Sequence, residues 1–179
     1  MTSYCVFETA LGPGALAWGD SGIVGIQLPE ADERHLRARI RRRFVGATES
    51  EPPPQVANAV ERIGRLLDGH PTDLSDIALD MSRVPELAQR VYAVARKIQP
   101  GQTLTYGQIA TQLGDPLLAR EVGQSLARNP FPIVVPCHRV LAAGGKLGGF
   151  SAPGGVATKQ KLLAIERANV SWQLPLGVA

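Results

Sequence analysis

The sequence predicts an α/β protein in which a small unit of strands and helices precedes a mainly helical unit. Short strand-like segments separated by Gly, Pro and Asp turns fill the first thirty residues. Beyond residue 83 the apolar side chains recur at helical spacing. The charge also changes sign, because residues 1–82 carry 8 Lys/Arg against 12 Asp/Glu and residues 83–179 carry 11 against 4. The second half therefore suits a polyanionic partner.

Four strands and two helices are expected in the first unit. The strands are predicted at residues 4–9, 14–18 and 23–28, with a further one near 77–81. The helices are predicted at about 31–44, where Leu36, Ile40 and Phe44 share one face, and at about 55–68. Arg37, Arg41 and Arg42 lie off the apolar face of the first helix. Such a run either contacts nucleic acid or is a solvated helix face, and the second is the more common case.

Residues 82–85, Ser-Arg-Val-Pro, are interpreted as a boundary. We therefore predict an α/β domain at 1–82, a helical domain at 83–168 and a loose tail at 169–179. Helices in the second domain are predicted at residues 86–97, 106–113 and 117–128. The last two, joined by a tight turn, have the outline of a helix-turn-helix unit.

The third of these helices carries three distinct stripes of side chains. They are an apolar stripe (Leu118, Val122, Leu126), a stripe of small residues (Ala119, Gly123, Ala127) and a basic stripe (Arg120, Gln124, Arg128). A small stripe beside a basic one suits either close approach to a DNA groove or tight helix packing. Glu121 lies between the basic and apolar stripes. It either repels phosphates or pairs with a basic residue of the second domain.

Composition also narrows the class of protein. No apolar run approaches the roughly 18 residues that span a membrane, and the first residues, MTSYCVFETA, do not resemble a signal peptide. The only cysteines, Cys5 and Cys137, form no disulfide framework, which favours a reducing cytoplasm. Cys5, His35 and His70 lack the compact spacing of metal ligands, so no metal is expected. We expect a cytoplasmic monomer.

The segment around Cys137 carries the strongest chemical signal. Asn129-Pro130 and an apolar run lead into Pro136-Cys137-His138-Arg139-Val140. An adjacent imidazole lowers a thiol pKa when it contacts the sulfur. Taken alone, however, a cysteine after Val-Val-Pro is more often a buried small hydrophobe.

The whole string resembles the active-site motif of the O6-alkylguanine-DNA alkyltransferases, also called methylated-DNA–protein-cysteine methyltransferases. The resemblance extends over about residues 85–167 and includes the strings at 105–110, 119–123, 149–151 and 159–166. The first domain is matched only loosely. The resemblance implies a ribonuclease-H-like first domain, a winged-helix-like second domain, double-stranded DNA containing O6-alkylguanine as the partner, and no cofactor.

The resemblance also implies a role for each matching residue. Cys137 accepts the alkyl group in a single turnover, His138 acts through a water as the base, and Glu166 orients the histidine. Asn129 is a hinge between the helix and the active-site strand, or simply a helix cap.

Recognition of the base is implied in the same way. A stacked base cannot reach a cysteine, so it is flipped out of the duplex. Arg120 fills the space that the base leaves, while Tyr106 turns the phosphate and hydrogen-bonds the guanine. The resemblance places the helix at 117–128 in the minor groove, which agrees with its stripe of small residues, Ala119, Gly123 and Ala127. Arg128, on the basic stripe, is expected to meet phosphates of the DNA. Val140, Phe150 and Ser151 line the guanine pocket.

Glu121 and an Ala152-Pro153 insertion depart from the family pattern. Three alternatives stay open. The first is a non-catalytic lesion sensor, a class of protein that lacks the reactive cysteine. The others are a winged-helix regulator that uses its cysteine to sense methylation, and a cysteine hydrolase. The presence of Cys137 argues against the first, and the lack of an extra cysteine-rich domain against the second. The hydrolase would need an oxyanion hole and a water route, and the sequence indicates neither.

Overall fold

The computed structural model describes residues 1–29 and 32–170. Its elements follow in chain order. They are β1 (Ser3–Phe7), β2 (Gly14–Gly19), β3 (Gly22–Gln27), α1 (Glu33–Arg43), β4 (Thr48–Glu49), α2 (Pro54–Leu67), α3 (Glu86–Ala95), β5 (Leu104–Thr105), α4 (Tyr106–Gln112), α5 (Ala119–Ala127), β6 (Val140–Leu141) and α6 (Gly155–Ile165). Short 3₁₀ turns lie at Pro116–Leu118, Cys137–Arg139 and Ala143–Gly145.

The mixed α/β prediction is confirmed, and the first three strands and five helices lie within a few residues of their predicted bounds. The predicted strand near 77–81 is wrong, since only Leu79 forms an isolated bridge, to Ile23. Strand β4 and helix α6 were not predicted. The predicted start of α1 at residue 31 and the tail from residue 171 lie outside the described residues, whereas Val170 is buried beside Leu163.

Strands β1 to β4 form a sheet in the order β3-β2-β1-β4, with β1 and β4 parallel and the other pairs antiparallel. Because side chains alternate across a strand, the sheet presents two different faces. One face buries Tyr4, Ala15 and Ala17 under Leu36 and Ile40 of α1. The opposite face contributes to the main core of the molecule.

That main core crosses the predicted boundary at residues 82–83. Leu16 and Trp18 of the sheet belong to the same buried cluster as Val91, Val122 and the segment before Cys137. The backbone joins the two parts as well, because the Ile26 amide of β3 donates to the Pro130 carbonyl at 2.9 Å. The sheet therefore supports the loop that leads to Cys137.

Helices α4 and α5 form the expected helix-turn-helix unit, packed on α3. The start of α4 is fixed by a capping box in which Thr105 Oγ1 accepts from the Gln108 amide and Gln108 Oε1 accepts from the Thr105 amide. Tyr106 is consequently held as the first residue of α4. Val122 and Leu126 of α5 face the core, as their stripe predicts.

Gly22 and Gly64 allow a test of this backbone. Gly22 has a φ of +127°, and a Cβ there would lie 2.9 Å from the Ala78 carbonyl oxygen. We expect Gly22→Ala to destabilise the protein by about 2 kcal/mol in urea denaturation. Gly64→Ala, in α2 with nothing within 4 Å of the new methyl group, should stabilise it by about 0.5–1 kcal/mol. Equal effects of the two changes would contradict this account.

Candidate active site

Cys137 begins a 3₁₀ turn that follows a tightly folded segment. The resemblance implies an active-site strand after Asn129, but the segment before Cys137 is not a strand: Pro132 and Val135 form an isolated bridge, and Ile133 between them has a φ of +75°. A left-handed conformation is costly for a β-branched residue, by roughly 1–3 kcal/mol. Burial of Phe131, Ile133 and Val135 in the core holds this turn in place.

Asn129 fastens both ends of that turn. Its Nδ2 donates to the Val135 carbonyl at 2.8 Å, and its Oδ1 accepts from the Phe131 amide at 2.9 Å. Its side chain also lies beside the Cys137 thiol, where it lowers the thiol pKa. The side chain therefore does more than cap α5, because it connects the end of that helix with the turn before the sulfur.

His138 and Arg139 both bind the carboxylate of Glu166, which follows α6. His138 Nε2 lies 2.8 Å from Glu166 Oε1, and the Arg139 guanidinium donates to both carboxylate oxygens at 2.8 and 2.9 Å. Arg139 also donates to the Ile98 carbonyl. The side chains of His138 and Glu166 are only 1% and 3% exposed. His138 Nδ1 is buried and has no hydrogen-bond partner among the described residues.

The electrostatics of these buried groups follow from their partners. Burial alone would raise the pKa of Glu166, but the hydrogen bonds and charges of His138 and Arg139 outweigh burial and lower that pKa to about 2. Burial lowers the pKa of His138, against the opposing influence of Glu166. Burial likewise raises the pKa of the Cys137 thiol. At neutral pH the resting pair is therefore a thiol and a neutral imidazole, beside an ionised carboxylate.

Lys159 is a buried cation close to this group. Its Nζ donates to the Val140 carbonyl at 2.6 Å and lies 6.0 Å from the centre of the Tyr106 ring. Burial lowers the pKa of Lys159 to about 8, against the charge of Cys137, which raises it. The lysine charge in turn lowers the pKa of Cys137. Lys159 thus favours the thiolate once the sulfur loses its proton.

A pocket of about 450 Å³ opens above Cys137, which is itself half-buried. Helices α4 and α5 and the loop at residues 149–151 form its walls. Their contributions include Tyr106, Gly123, Ala127, Phe150 and Ser151. Ser151 Oγ donates to the Ala127 carbonyl at 2.7 Å and so ties the loop to α5. The volume of this pocket is typical of a site for a small ligand or a single base.

The four remaining site residues predicted from the sequence lie apart from this pocket lining. Arg120 is exposed in the first turn of α5, and Arg128 is exposed at its end. Val140 is buried in β6, where its carbonyl accepts from Lys159. Ala119, although half-buried, begins α5 on the same stripe as Gly123, where an added Cβ would lie 3.9 Å from the Tyr106 ring.

The Glu121 side chain points toward the protein but makes no hydrogen bond or ion pair with a described residue. Its Oε2 is buried and has no hydrogen bond within the described part of the chain, although the carboxylate lines a cavity together with Arg83 and Arg128. The structure thus shows the inward orientation but not the ion pair that one interpretation of the sequence expects.

Two residues of the site were missed by sequence reasoning. Arg139 was part of the motif but received no role, although it neutralises Glu166. Lys159 shares a helical face with Leu162 and Leu163, and a lysine on an apolar stripe was the available signal. Among residues 1–29 and 32–170, no three potential metal ligands lie together, and no helix is long and apolar enough to cross a membrane.

Relatives of known family share this architecture. The family model for 6-O-methylguanine DNA methyltransferase, DNA binding domain, matches residues 86–168. A methylated-DNA–protein-cysteine methyltransferase of Mycolicibacterium paratuberculosis is 38% identical over 98% of this chain and 99% of the relative. The chain belongs to the methylated-DNA–protein-cysteine methyltransferase family.

Solved structures similar to this family member cover nearly its whole length. Mycobacterium tuberculosis OGT in complex with DNA has a TM-score of 0.75 and 33% identity, with 92% of each chain covered. The O6-methylguanine-DNA methyltransferase of Pyrococcus kodakaraensis KOD1 has a TM-score of 0.69 and 27% identity, covering 93% of this chain and 99% of that one. The first domain, which the sequence matched only loosely, is included in these similarities.

The Glu166 network of this methyltransferase predicts a pH-dependent stability. The pKa of Glu166 in the folded protein, about 2, lies below its ordinary value of 4.5. Its stabilising effect is therefore complete above about pH 4.5 and is lost as the pH falls toward 2. Glu166→Gln should cost about 3 kcal/mol at pH 7, and less at pH 3.

Urea denaturation at both pH values measures this difference. Glu61→Gln is the matched control, because Glu61 is exposed on α2 and makes no ion pair among the described residues. A cost for Glu166→Gln that stays constant from pH 7 to pH 3 would refute the assignment.

Proposed function

We propose that the protein repairs DNA directly by moving a methyl or larger alkyl group from O6 of guanine onto Sγ of Cys137, once per molecule. The observation that carries this proposal is the thiol at the floor of a base-sized pocket, beside the buried His138–Glu166 pair. A helix-turn-helix unit forms one wall of the same pocket. Membership of the family supports the same reaction.

The proton path follows from the hydrogen bonds of His138. Nε2 is engaged by Glu166, so Nδ1, which has no partner among the described residues, is the nitrogen that accepts the thiol proton through a water. The imidazolium that results is stabilised by the ionised carboxylate. As the sulfur–carbon bond forms, the bond from that carbon to O6 breaks. O6 becomes the carbonyl oxygen of guanine, and the thiol proton held by His138 is passed to the guanine anion that the transfer leaves.

The thioether product explains the single turnover. It has no proton to lose and cannot regenerate a thiolate, so Cys137 is consumed. Asn129 and Lys159 act before this point, because both lower the thiol pKa against the effect of burial. We assign them to the activation of the sulfur.

DNA would be bound through α5. The small stripe of Ala119, Gly123 and Ala127 lets the helix backbone approach the minor groove, while Arg120 and Arg128 meet phosphates or the vacated base position. Tyr106 and the 149–151 loop then hold the flipped guanine, with Phe150 and Ser151 in the pocket wall. Val140 contributes by fixing the Lys159 ammonium.

We also assign the finer architecture to the ribonuclease-H-like and winged-helix-like types, with domains at 1–82 and 83–168. The four-stranded sheet with α1 on one face supports the first assignment, and the α3–α4–α5 arrangement supports the second. We also assign the protein to the cytoplasm, because both cysteines are free and free cysteines are typical of a reducing compartment.

Mass spectrometry tests the acceptor. After incubation with a duplex that contains O6-methylguanine, the intact protein should gain one CH₂ unit, and peptide mapping should place it on Cys137. Cys5→Ser should react normally, because Cys5 is buried in the sheet face of the core and burial raises its pKa to about 11. Methylation of Cys5, or continued repair by the Cys137→Ser variant, would refute the proposal.

Arg120 is expected to act on duplex DNA specifically. Arg120→Ala should slow methyl transfer at least tenfold in a paired duplex, but much less when the lesion lies in an unpaired bulge, since extrusion is then unnecessary. Arg65→Ala, an exposed arginine on α2, is the control and should match the unaltered protein on both substrates. Single-turnover rates on the two substrates measure the effect. Equal losses on both would indicate a plain phosphate contact instead.

A further inference from the structure

A second cavity, of about 270 Å³, reaches Cys137 from the side of the sheet. It lies between β3, α1 and the loop at residues 150–153. Ala127, Cys137, Phe150 and Ser151 line both this cavity and the base-sized pocket. The two spaces therefore adjoin each other at Cys137.

The lining of this second cavity is cationic. Arg39, Arg43 and Arg128 belong to it, and none of its described lining residues is acidic. The Arg43 guanidinium donates to the carbonyls of Ile26 and Pro130, both at 3.3 Å, so its partners are neutral oxygens. Burial lowers the pKa of Arg43, and no carboxylate of the described residues opposes this effect. The Arg128 guanidinium makes no ion pair within residues 1–29 and 32–170.

The geometry of the reaction indicates which part of the substrate could enter the second cavity. Sγ attacks the carbon bonded to O6 while the guanine fills the base-sized pocket. The remainder of a larger alkyl group projects sideways from that carbon, and the second cavity is the adjoining space. Ala152 and Pro153, the insertion in this chain, form part of its wall.

We propose that this cavity holds the remainder of the alkyl group and that Arg43 and Arg128 select alkyl groups ending in an anion, such as a carboxylate. The inference rests on the proposed function. In the transfer, the sulfur–carbon bond forms and the carbon–O6 bond breaks, while the terminal carboxylate is unchanged. A phosphate of the DNA backbone is the other anion that these arginines could bind, and the experiment separates the two sources.

The test uses three duplexes that differ only in the lesion. They carry O6-methylguanine, O6-(3-carboxypropyl)guanine, and the terminal amide of the latter, which has the same length and the same reacting CH₂ group. Single-turnover rates are measured with excess protein. We expect the carboxylate to react about tenfold faster than the amide, the increment typical of a charge-assisted hydrogen bond.

Variants assign that preference to the arginines. Arg43→Gln and Arg128→Gln should each reduce the carboxylate-to-amide ratio at least about threefold, whereas Arg43→Lys keeps a charge and should retain most of it. Arg42→Gln, an exposed neighbour on α1 outside the cavity, should leave the ratio unchanged. Each carboxylate-to-amide ratio is measured with a single variant. A general loss of folding or of DNA affinity lowers both rates equally and therefore leaves the ratio unchanged.

Three outcomes would overturn the inference. Equal rates for carboxylate and amide in the unaltered protein would show that the cavity does not select charge, while methyl transfer would leave the proposed function intact. Variants that lose rate equally on all three duplexes would show that the arginines bind the DNA backbone. Absence of transfer even from O6-methylguanine would refute the proposed function and this inference with it.

Discussion

The buried carboxylate of Glu166 is the interaction on which the site depends. It lies at the end of α6, and its two oxygens bind two consecutive side chains of the turn that starts with Cys137. Arg139 extends the connection to the carbonyl of Ile98, beyond α3. A carboxylate buried this deeply requires a cation, and a bidentate guanidinium supplies it with fixed geometry. The same contacts that neutralise the charge therefore fix the orientation of His138.

The network also explains why the thiol stays protonated until it is needed. His138 and Arg139 hold Glu166 ionised, so a proton that reaches His138 meets a negative charge ready to stabilise it. Burial meanwhile disfavours both the thiolate and the imidazolium in the resting site. A thiol with a raised pKa stays protonated and is therefore a poor target for oxidants and stray alkylating agents. Under the proposed function this protection is needed, because the cysteine would react only once.

The sequence predicted those parts of the molecule that local patterns determine. The stripes of α5 depend on residues three or four positions apart, and Val122 and Leu126 of its apolar stripe face the core as expected. The turn before Cys137 was not predicted from local patterns, because its left-handed Ile133 is imposed by burial and by the hydrogen bonds of Asn129. Arg139 and Lys159 were missed for a related reason. Their partners, Glu166 and the Val140 carbonyl, lie 27 and 19 positions away in the chain.

The sheet has a structural part in the chemistry although it supplies no reacting group. The Pro130 carbonyl, next to Asn129, accepts from the Ile26 amide of β3 and from the Arg43 guanidinium at the end of α1. These bonds connect the first eighty residues to the turn that aims the sulfur. Since both end at one carbonyl, a displacement of β3 or α1 would be passed to Asn129 and from there to Cys137. The N-terminal unit is therefore part of the scaffold of the candidate active site.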